Sequence, residues 1–548
     1  MKKKVLSVLL ATAMVASMAA CGGNDAPAAS SGAPDSSSEA SSVAEEVTYD
    51  LKQIKIMVDG TLNLTEETGL ADFEKAWEEA VGGDVDLVIN KPDHSSYSEA
   101  LSLALAGEDK PDVVLMPAAM YSQYASFGTV LWDMTDAYEN ADFQSALNAK
   151  AVVNDGNYVN GRLYGMSPTA GNGCVTYVKQ AWLDNLGISV DDIKTYDDFY
   201  NMLVRFSTED PDGNGVNGDT YGVIAPGLIS AEAPWTNYIP EFWQNAYPAL
   251  MQDENLTWVD GFQSEETKAA LERLQTAYQA GVIDPDTTAF AGDTKKAREK
   301  WFGNDQSGTA GCFAYWAGTW RQTLTDNLAK NGVETEVAQL NKIAEMDGFL
   351  DRKAPVWVIM NDTSLSEEEN NARCKAIFDK FFETMLDGGD VQILWTYGVK
   401  GLHWDNKAET VVVAPDDPEK RKETTYEEGK FHMLPGITDN TSLYKKNHID
   451  NILAIRDLPS EYAVSAASDL ATASSAAFYA NAISAPNLPS SVTYAVQSSV
   501  ITDAVNVAVN EIVRSDKPFA EAYEAAMATY HSSADATLEA VLAELNAN

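Results

Sequence analysis

The chain has 548 residues, of which 45% are hydrophobic, and its 82 acidic and 38 basic residues give a formal net charge of -44. Nucleic-acid binding requires clustered Lys and Arg against phosphates, so this charge argues against a nucleic-acid-binding protein and against direct adsorption to anionic lipids. The length is sufficient for two or three domains at roughly 100–200 residues each.

The N-terminus has the pattern of a secretory signal peptide, which we predict over residues 1–20. Three early lysines precede a short apolar run that ends in small residues before Cys21. The run is shorter than the roughly 20 residues that a membrane-spanning helix needs. Residues 21–46 are mainly Gly, Ala, Ser, Pro and acidic residues. They predict a flexible linker, because so little apolar surface cannot offset the entropy cost of folding.

Cysteine is scarce beyond residue 21. Cys174, Cys312 and Cys374 fit no zinc-binding spacing, and three cysteines cannot all form pairs. We predict that they are small buried hydrophobic residues. Stability then comes from the hydrophobic cores.

Strand and helix patterns alternate at the start of the folded body. Strands are predicted at Ile54–Val58, Val85–Ile89 and Pro111–Met116, and helices at Glu66–Val81 and Tyr97–Ala106. This βαβαβ order implies a parallel or mixed sheet covered by helices.

Ligands on such sheets bind outside the carboxyl ends of the strands. This rule places candidate contacts at residues 59–60, 94–97 and 117–121, and among them we select Tyr97 and Tyr121 as ligand-binding residues.

Five segments, in order along the chain, resemble the motifs of one protein family. They are AGEDKPDV at 106–113, GTVLWDMT at 128–135, GRLYGMS at 161–167, WLDNLG at 182–187 followed by TYDDF at 195–199, and GTAGCF at 308–313 followed by two tryptophans. Together they resemble the extracellular solute-binding proteins of family 1. These are the ligand-capturing subunits of bacterial ABC importers, in the branch that mostly binds oligosaccharides, including alginate-binding members.

The resemblance implies an α/β chain with a two-lobed, type II periplasmic-binding-protein-like fold and a ligand cleft between the lobes. Lobe one is predicted over residues 47–160 and 354–390. Lobe two is predicted over residues 161–345 and 391–548, including C-terminal helices. Residues 405–500 match no motif of the family.

Cys21 resembles the lipidated cysteine of bacterial lipoproteins. The resemblance implies cleavage before Cys21 and a monomer held at the extracytoplasmic face of the bacterial cell membrane through a lipid anchor only. It also implies a carbohydrate ligand and ABC transporter permease subunits as partners, with ATP hydrolysis by other subunits.

A calcium site is predicted in the loop DPDGNGVNGD at residues 210–219. Calcium-binding loops place oxygen ligands at alternate positions and glycine at the sixth. Asp210, Asp212 and Asn214 occupy positions one, three and five, and Val216 offers its carbonyl at position seven. The glutamate typical of position twelve is absent, so Asp219, directly or through water, must complete the shell. The alternative is a plain turn rich in Asp, Asn and Gly.

Aromatic residues supply the predicted sugar site, because flat rings pack against the apolar faces of sugars while polar groups bind the hydroxyls. Family members carry a stacking tryptophan near the position of Trp316, so the resemblance favours that residue first. The complete set of predicted ligand-binding residues is Trp316, Trp320, Tyr97, Tyr121, Asn172, Trp235, Trp243 and Trp404.

Enzyme motifs are missing from the sequence. The five histidines lie in no His-Glu-x-x-His pattern, and neither a Gly-x-Ser-x-Gly nucleophile motif nor a phosphate-binding loop occurs. We therefore predict a binding protein rather than an enzyme. Two alternatives stay open: a peptide- or metal-binding receptor of the same fold, and a surface glycoside hydrolase with two converging carboxylates.

Overall fold

A computed structural model describes most of the chain after residue 47. The described residues are 48–59, 69–93, 96–107, 109–143, 157–167, 171–229, 238–290, 292–303, 308–386, 389–413, 422–430, 432–434, 469–484 and 491–547. The predicted signal peptide, the linker and the lipidation site Cys21 lie outside these ranges. Within them, no helix is long and apolar enough to cross a bilayer.

The described strands are short: nine of them lie in two mixed sheets, and the other ten form five two-stranded sheets. They are β1 (Gln53–Met57), β2 (Asp86–Asn90), β3 (Val113–Met116), β4 (Tyr158–Val159), β5 (Arg162–Leu163), β6 (Gly165–Met166), β7 (Cys174–Lys179), β8 (Tyr221–Ile224), β9 (Leu250–Gln252), β10 (Trp258–Asp260), β11 (Ala310–Trp316), β12 (Val337–Gln339), β13 (Phe349–Asp351), β14 (Val356–Ile359), β15 (Trp404–Asp405), β16 (Glu409–Val413), β17 (Lys422–Tyr426), β18 (His432–Met433) and β19 (Ala482–Ser484).

The helices cover the sheets and form the C-terminal end of the described chain. They are α1 (Leu70–Ala80), α2 (Tyr97–Ala106), α3 (Ala118–Ser126), α4 (Thr135–Glu139), α5 (Gln180–Leu186), α6 (Tyr196–Thr208), α7 (Pro240–Trp243), α8 (Glu265–Gln279), α9 (Asp286–Ala289), α10 (Thr294–Trp301), α11 (Thr319–Lys330), α12 (Glu367–Ile377), α13 (Asp390–Tyr397), α14 (Asp469–Tyr479), α15 (Val492–Val513) and α16 (Phe519–Leu545).

Lobe one is built on a five-stranded sheet with the order β2-β1-β3-β14-β6. The first three of these strands in the chain are parallel, and β14 returns antiparallel to β3 and β6. The predicted α/β alternation in this region is therefore confirmed. Every residue of β14 is buried, as a central strand covered on both faces requires.

Asp112, in the motif that precedes β3, fastens the sheet to its helices. One carboxylate oxygen accepts a 2.8 Å hydrogen bond from the backbone N–H of Lys55, and the other forms a half-buried ion pair with Arg373 on α12. Charge-assisted hydrogen bonds of this kind are roughly twice as strong as neutral ones. The motif that led to the family resemblance therefore has a structural role.

Lobe two is built on a four-stranded sheet with the order β12-β7-β11-β8. Strand β11 is antiparallel to β7 and parallel to β8. The C-terminal helices α15 and α16 pack against each other, and α15 also contacts α8 while α16 contacts β10; Val509, Ile512 and Leu538 join the same hydrophobic core as the sheet. All residues of β7 are buried, so this strand forms the centre of the lobe.

Two crossing segments connect the sheets. The first ends with residues 171–173, which lead into β7, and the second, residues 340–355, runs from β12 back to β14. They meet where Asn172 and Arg352 exchange backbone hydrogen bonds of 3.0 and 2.8 Å. Approach is close enough that a Cβ atom on Gly173 would lie 2.1 Å from the carbonyl oxygen of Leu350. Glycine is required there because any side chain would separate the two segments.

Two predicted lobe boundaries differ from the structure. Residues 161–166 were assigned to lobe two, but Leu163 and Met166 are buried in the core of lobe one, and β6 pairs with β14. Helix α13 was also assigned to lobe two, yet Leu394 and Trp395 belong to the same lobe-one core. After β1–β3, the chain therefore returns to lobe one with β6 and again with α13, and both contribute apolar side chains to its core.

One carboxyl group is enclosed in the core of lobe two. Glu241 on α7 is 1% exposed, its Oε2 atom accepts a 2.7 Å hydrogen bond from the Thr176 hydroxyl of β7, and its Oε1 atom has no partner. Burial raises the pKa of Glu241 to about 7, because the low-dielectric surroundings disfavour the ionised form.

The pH dependence of stability follows from this shift. The folded state holds the Glu241 proton up to a pH near 7, whereas the unfolded chain releases it near the ordinary glutamate pKa of 4.5. The stabilising contribution is therefore complete below pH 4.5 and is lost as the pH rises through about 7. We expect Glu241→Gln to raise the melting temperature relative to the native chain at pH 8, with little difference at pH 4.5.

Calorimetry at both pH values measures the effect, which is at most about 3 kcal/mol on the scale of 1.36 kcal/mol per pKa unit. Glu272→Gln, on the exposed side of α8, serves as the control with the same change of charge. An equal difference in melting temperature at pH 4.5 and pH 8 would contradict the argument.

Candidate functional site

The carboxyl end of β11 places Trp316 beside the crossing segments. Trp316 is half-buried and packs against both hydrophobic cores of lobe two. Its carbonyl oxygen accepts a 2.7 Å hydrogen bond from the Tyr177 hydroxyl. The guanidinium carbon of Arg352 lies 5.1 Å from the centroid of its ring, a distance typical of cation–π contact. One of the predicted rings therefore lies at the junction of the two lobes.

Trp320 lies one turn further along, in the first turn of α11. It meets Tyr315 edge to face, with ring centroids 4.6 Å apart, and is itself half-buried. The guanidinium carbon of Arg298 lies 4.9 Å from the Trp320 ring, and Nη1 of Arg298 donates a 2.6 Å hydrogen bond to the Tyr315 hydroxyl. These contacts hold the indole rigidly while leaving part of its surface open.

Asn172 belongs to the first crossing segment and lies next to the end of β11. Its Nδ2 atom donates a 3.2 Å hydrogen bond to the carbonyl of Ala317, and its Oδ1 atom accepts a 2.8 Å hydrogen bond from the N–H of Gly173. Both polar atoms of the side chain thus contact the backbone next to Trp316. In this structure Asn172 positions the end of β11 relative to the crossing.

Four predicted ligand residues are buried and belong to the cores instead. Tyr97 is 2% exposed, and its hydroxyl lies 3.0 and 2.8 Å from the carbonyls of Met57 and Leu115. Tyr121 is 3% exposed and donates to the carbonyl of Asn157. Both rings are held between elements of lobe one, so neither presents a face to a ligand.

The two remaining corrections concern tryptophans. Trp243 is fully buried on α7 and donates a 3.0 Å hydrogen bond to the carbonyl of Leu228. Trp404 is 4% exposed and donates a 2.9 Å hydrogen bond to the carbonyl of Gly398. A buried indole N–H needs such an acceptor, and these bonds identify structural residues. Trp235 lies outside the described residues.

Sequence reasoning missed three side chains near the crossing: Asp351, Arg352 and Tyr479. Tyr479 ends α14, and its hydroxyl donates a 2.7 Å hydrogen bond to the carbonyl of Gly171. No family motif covers residues 405–500, so only its burial pattern could have suggested a role. Asp351 and Arg352 belong to no recognisable sequence motif, and charge alone does not distinguish them in a chain with 120 charged residues.

The acidic loop lies at the other end of the lobe-two sheet, after α6. The Thr195 and Asp198 side chains form a capping box that starts this helix, which ends at Thr208 just before the loop. Gly213, Gly215 and Gly218 all have positive φ angles, which let the chain curl through ten residues.

The predicted ligands of the loop face one another. Nδ2 of Asn214 lies 3.1 Å from Oδ2 of Asp212 and 3.0 Å from Oδ2 of Asp219, and the N–H of Gly215 donates a 2.9 Å hydrogen bond to Asp210. One buried oxygen on each of Asp210 and Asp219 has no hydrogen-bond partner. Desolvation, followed by the neighbouring carboxylates, raises the pKa of Asp212.

These oxygens match the chemistry of a hard cation, which takes carboxylate, amide and carbonyl ligands. Among the described residues, no three His, Cys, Asp or Glu side chains already adopt a metal-holding arrangement. The predicted set also contains the carbonyl of Val216 and the amide oxygen of Asn214, which accepts a 2.7 Å hydrogen bond from the N–H of Val216. Rotation of the Asn214 amide would turn its oxygen toward the carboxylates, so the residues fit the ion while their side chains do not yet enclose it.

A buried lysine lies next to this loop. Lys179 ends β7, its Nζ atom donates a 3.1 Å hydrogen bond to the Thr309 hydroxyl, and it lies 4.7 Å from the Trp182 ring. Burial lowers the pKa of Lys179 to about 7. Lys179 and Asp212 line the same cavity of about 180 Å³. The sites at the two ends of β7 are therefore different in kind: aromatic at its amino end and ionic at its carboxyl end.

Comparison with known sequences gives two relatives from Bacillus subtilis (strain 168), while no family model matches the chain. Lipoprotein LipO is 24% identical over 346 residues, which are 61% of this chain and 64% of LipO, so the match spans less than two thirds of that relative. The polygalacturonan/rhamnogalacturonan-binding protein YtcQ is 24% identical over 455 residues, 79% of each chain.

Solved structures resemble the fold over nearly the whole chain. The N-glycan transport solute-binding protein NgtS from Streptococcus pneumoniae has 17% sequence identity and a TM-score of 0.54, covering 90% of this chain and 99% of NgtS. The alginate-binding protein AlgQ2, in a structure without calcium ion, has 13% identity and a TM-score of 0.55, covering 92% and 100% of the two chains. The chain therefore has the two-lobed α/β fold of the extracellular solute-binding proteins, as its sequence motifs predict.

Proposed function

We propose that this protein is a lipid-anchored extracytoplasmic receptor that captures an oligosaccharide and delivers it to an ABC importer. The observation that carries the proposal is the pair of half-buried indoles, Trp316 beside the crossing segments and Trp320 four residues further along the chain. Rings that are held by neighbours but remain partly open are suited to the apolar faces of sugars. The carbohydrate ligands named for YtcQ, NgtS and AlgQ2 support the same class.

Capture follows from the connection between the lobes. The crossing segments join two separately packed cores, so the lobes can rotate while each core stays intact. A ligand that contacts Trp316 on lobe two and the facing surface of lobe one binds the closed form more tightly. It thereby shifts the population toward that form by the difference in affinity. Closure requires no covalent chemistry, consistent with a binding protein.

The location and partners complete the proposal. Lipid on Cys21 would hold the receptor at the outer face of the cell membrane, and residues 21–46 would give the body freedom to reach a permease. The closed form would act as a monomer on permease subunits of the importer, while separate subunits hydrolyse ATP. The similarity to lipoprotein LipO supports the anchor.

The test of the function is a binding screen with the full chain purified in detergent. Thermal shift and calorimetric titration are run against neutral and acidic oligosaccharides, amino acids and short peptides. We expect one sugar class to raise the melting temperature by several degrees, with the sugar recovered intact. Binding of peptides alone would reject the proposal, and recovery of shortened sugar would indicate a hydrolase.

Trp316→Ala tests the site itself. Loss of ring contact should weaken the affinity for the bound sugar at least about tenfold, since an aromatic contact contributes about 0.5–1.5 kcal/mol beyond its buried area. Because the indole is only half-buried, the melting temperature should fall by no more than a few degrees. Trp316→Phe retains a ring and should lose less affinity.

Trp258→Phe provides the matched control, because Trp258 on β10 is 6% exposed in the core of lobe two. Its replacement should lower the melting temperature and leave the dissociation constant unchanged. Sugar affinity that survives in Trp316→Ala would show that the indole is a structural residue.

We also propose that Asp210, Asp212, Asn214, Val216 and Asp219 bind a structural calcium ion. The two unpartnered buried carboxylate oxygens of the loop support the proposal, since a cation would satisfy both. With the native loop, a calcium chelator should lower the melting temperature by several degrees. Calcium binding would stabilise the folded state by about 2.7 kcal/mol when the free calcium concentration is 100 times the dissociation constant.

The calcium proposal has a simple control. Asp210→Asn should abolish the effect of the chelator, whereas Asp191→Asn, on an exposed turn before α6, should retain it. A melting temperature that does not respond to chelator in the native chain would leave the loop as an ordinary turn.

A further inference from the structure

Asp351 is a carboxylate at the crossing of the two lobes, and one of its two oxygens has no hydrogen-bond partner. It ends β13, one residue before the backbone pair of Asn172 and Arg352. Its Oδ1 atom is buried and has no hydrogen-bond partner. Burial raises the pKa of Asp351 to about 6, partly opposed by Lys353. At neutral pH the group is mainly ionised, so it is an acceptor that its surroundings leave unused.

The carboxylate lies between the two crossing segments. A Cβ atom on Gly171 of the first segment would lie 2.2 Å from Oδ1 of Asp351 and 2.3 Å from the carbonyl oxygen of Arg352. Gly171 therefore leaves the space that the carboxylate occupies. A buried acceptor without a partner destabilises the folded state, and glycine at this position lets the acceptor lie against the backbone of the opposite segment.

A partly exposed ring lies next to it. Tyr479 is 38% exposed although it is a large side chain. Its hydroxyl donates a 2.7 Å hydrogen bond to the carbonyl of Gly171, and the Asp351 charge acts on it directly. Parallel pairing of β19 with β13 holds this end of α14 against the second crossing segment. The ring is thus fixed at its polar end and open along its side.

We infer that Asp351 and Tyr479 form a subsite for a neutral sugar unit, with the ring against the sugar face and the carboxylate accepting hydrogen bonds from its hydroxyls. The inference rests on the proposed function and narrows the ligand class. An ionised carboxylate accepts hydroxyl hydrogen bonds strongly, while it repels the carboxylate of a uronic acid. The net charge of -44 opposes an acidic polymer as well.

Arg352, the next residue, would favour an acidic ligand instead of a neutral one. Successive residues of an extended segment point to opposite sides, so Arg352 faces Trp316 while Asp351 faces Gly171. Lys353 lies on the Asp351 side and balances its charge in part. A ligand bound mainly through Arg352 would be acidic, and a ligand bound through Asp351 would be neutral. The relative affinity of the native chain for a neutral sugar and for an acidic sugar of the same length therefore shows whether Asp351 or Arg352 contacts the ligand.

The experiment measures calorimetric affinity of the full chain for galactose oligomers and for galacturonic acid oligomers of the same length and linkage, together with a panel of other neutral oligosaccharides. We expect binding of a neutral oligomer and at least about tenfold weaker binding of its acidic counterpart. Asp351→Asn, which retains size but loses the charge, should weaken the affinity for the neutral ligand about tenfold. It should also raise the melting temperature at pH 7, because a buried charge is removed.

Three further variants separate the roles. Tyr479→Ala should weaken binding about tenfold, whereas Tyr479→Phe, which retains the ring and loses only the bond to Gly171, should change it by about threefold at most. Asp347→Asn removes a charge from an exposed position four residues before Asp351 and should leave the affinity unchanged. Melting temperatures establish that each variant is folded.

The outcomes distinguish the subsite from the function on which it rests. Tighter binding of the acidic oligomer, or unchanged affinity in Asp351→Asn, would overturn the subsite while leaving an oligosaccharide receptor intact. Failure of every oligosaccharide to bind the native chain would remove the proposed function and the subsite together. Neutral preference that is lost in Asp351→Asn and retained in Asp347→Asn would establish the subsite.

Discussion

The backbone pair between Asn172 and Arg352 is the constraint on which the rest of the structure depends. It joins the two segments that cross between the lobes, at the point where they run side by side. Gly171 and Gly173 exist as glycines because the opposite segment occupies the space of a side chain. Backbone hydrogen bonds at this point fix the axis of any lobe motion, while the two cores remain separately packed.

This constraint also explains where the polar and aromatic groups of the candidate site lie. Strand β11 ends at Trp316, one residue before a backbone carbonyl that Asn172 holds. Strand β13 ends at Asp351, and α14 ends at Tyr479. Ends of elements expose side chains that the middles of strands bury. The residues that gather at the crossing therefore come from chain positions that are far apart, and packing alone brings them together.

The sequence predicted the sheet of lobe one closely, and its candidate site only in part. Apolar patterns located β1, β2 and β3 within about two residues, because each strand carries the apolar side chains of its own buried face. The rule on strand ends assigned Tyr97 to a ligand, and the search for aromatic rings assigned Trp243, because the sequence does not show that both side chains are buried. Asp351 could not be found, because its significance lies in a missing hydrogen bond, which is a property of the fold.

The separation of the two proposed sites along β7 has a consequence for how the protein works. Cys174 at the amino end of this strand pairs with Trp316, whereas Lys179 at its carboxyl end lines a cavity with Asp212 of the acidic loop. Five residue steps of fully buried strand separate Cys174 from Lys179, at about 3.3 Å per step. Changes at sites separated by more than about 10 Å are usually additive. Occupation of the loop should therefore stabilise lobe two without changing sugar preference, which leaves selectivity to the crossing alone.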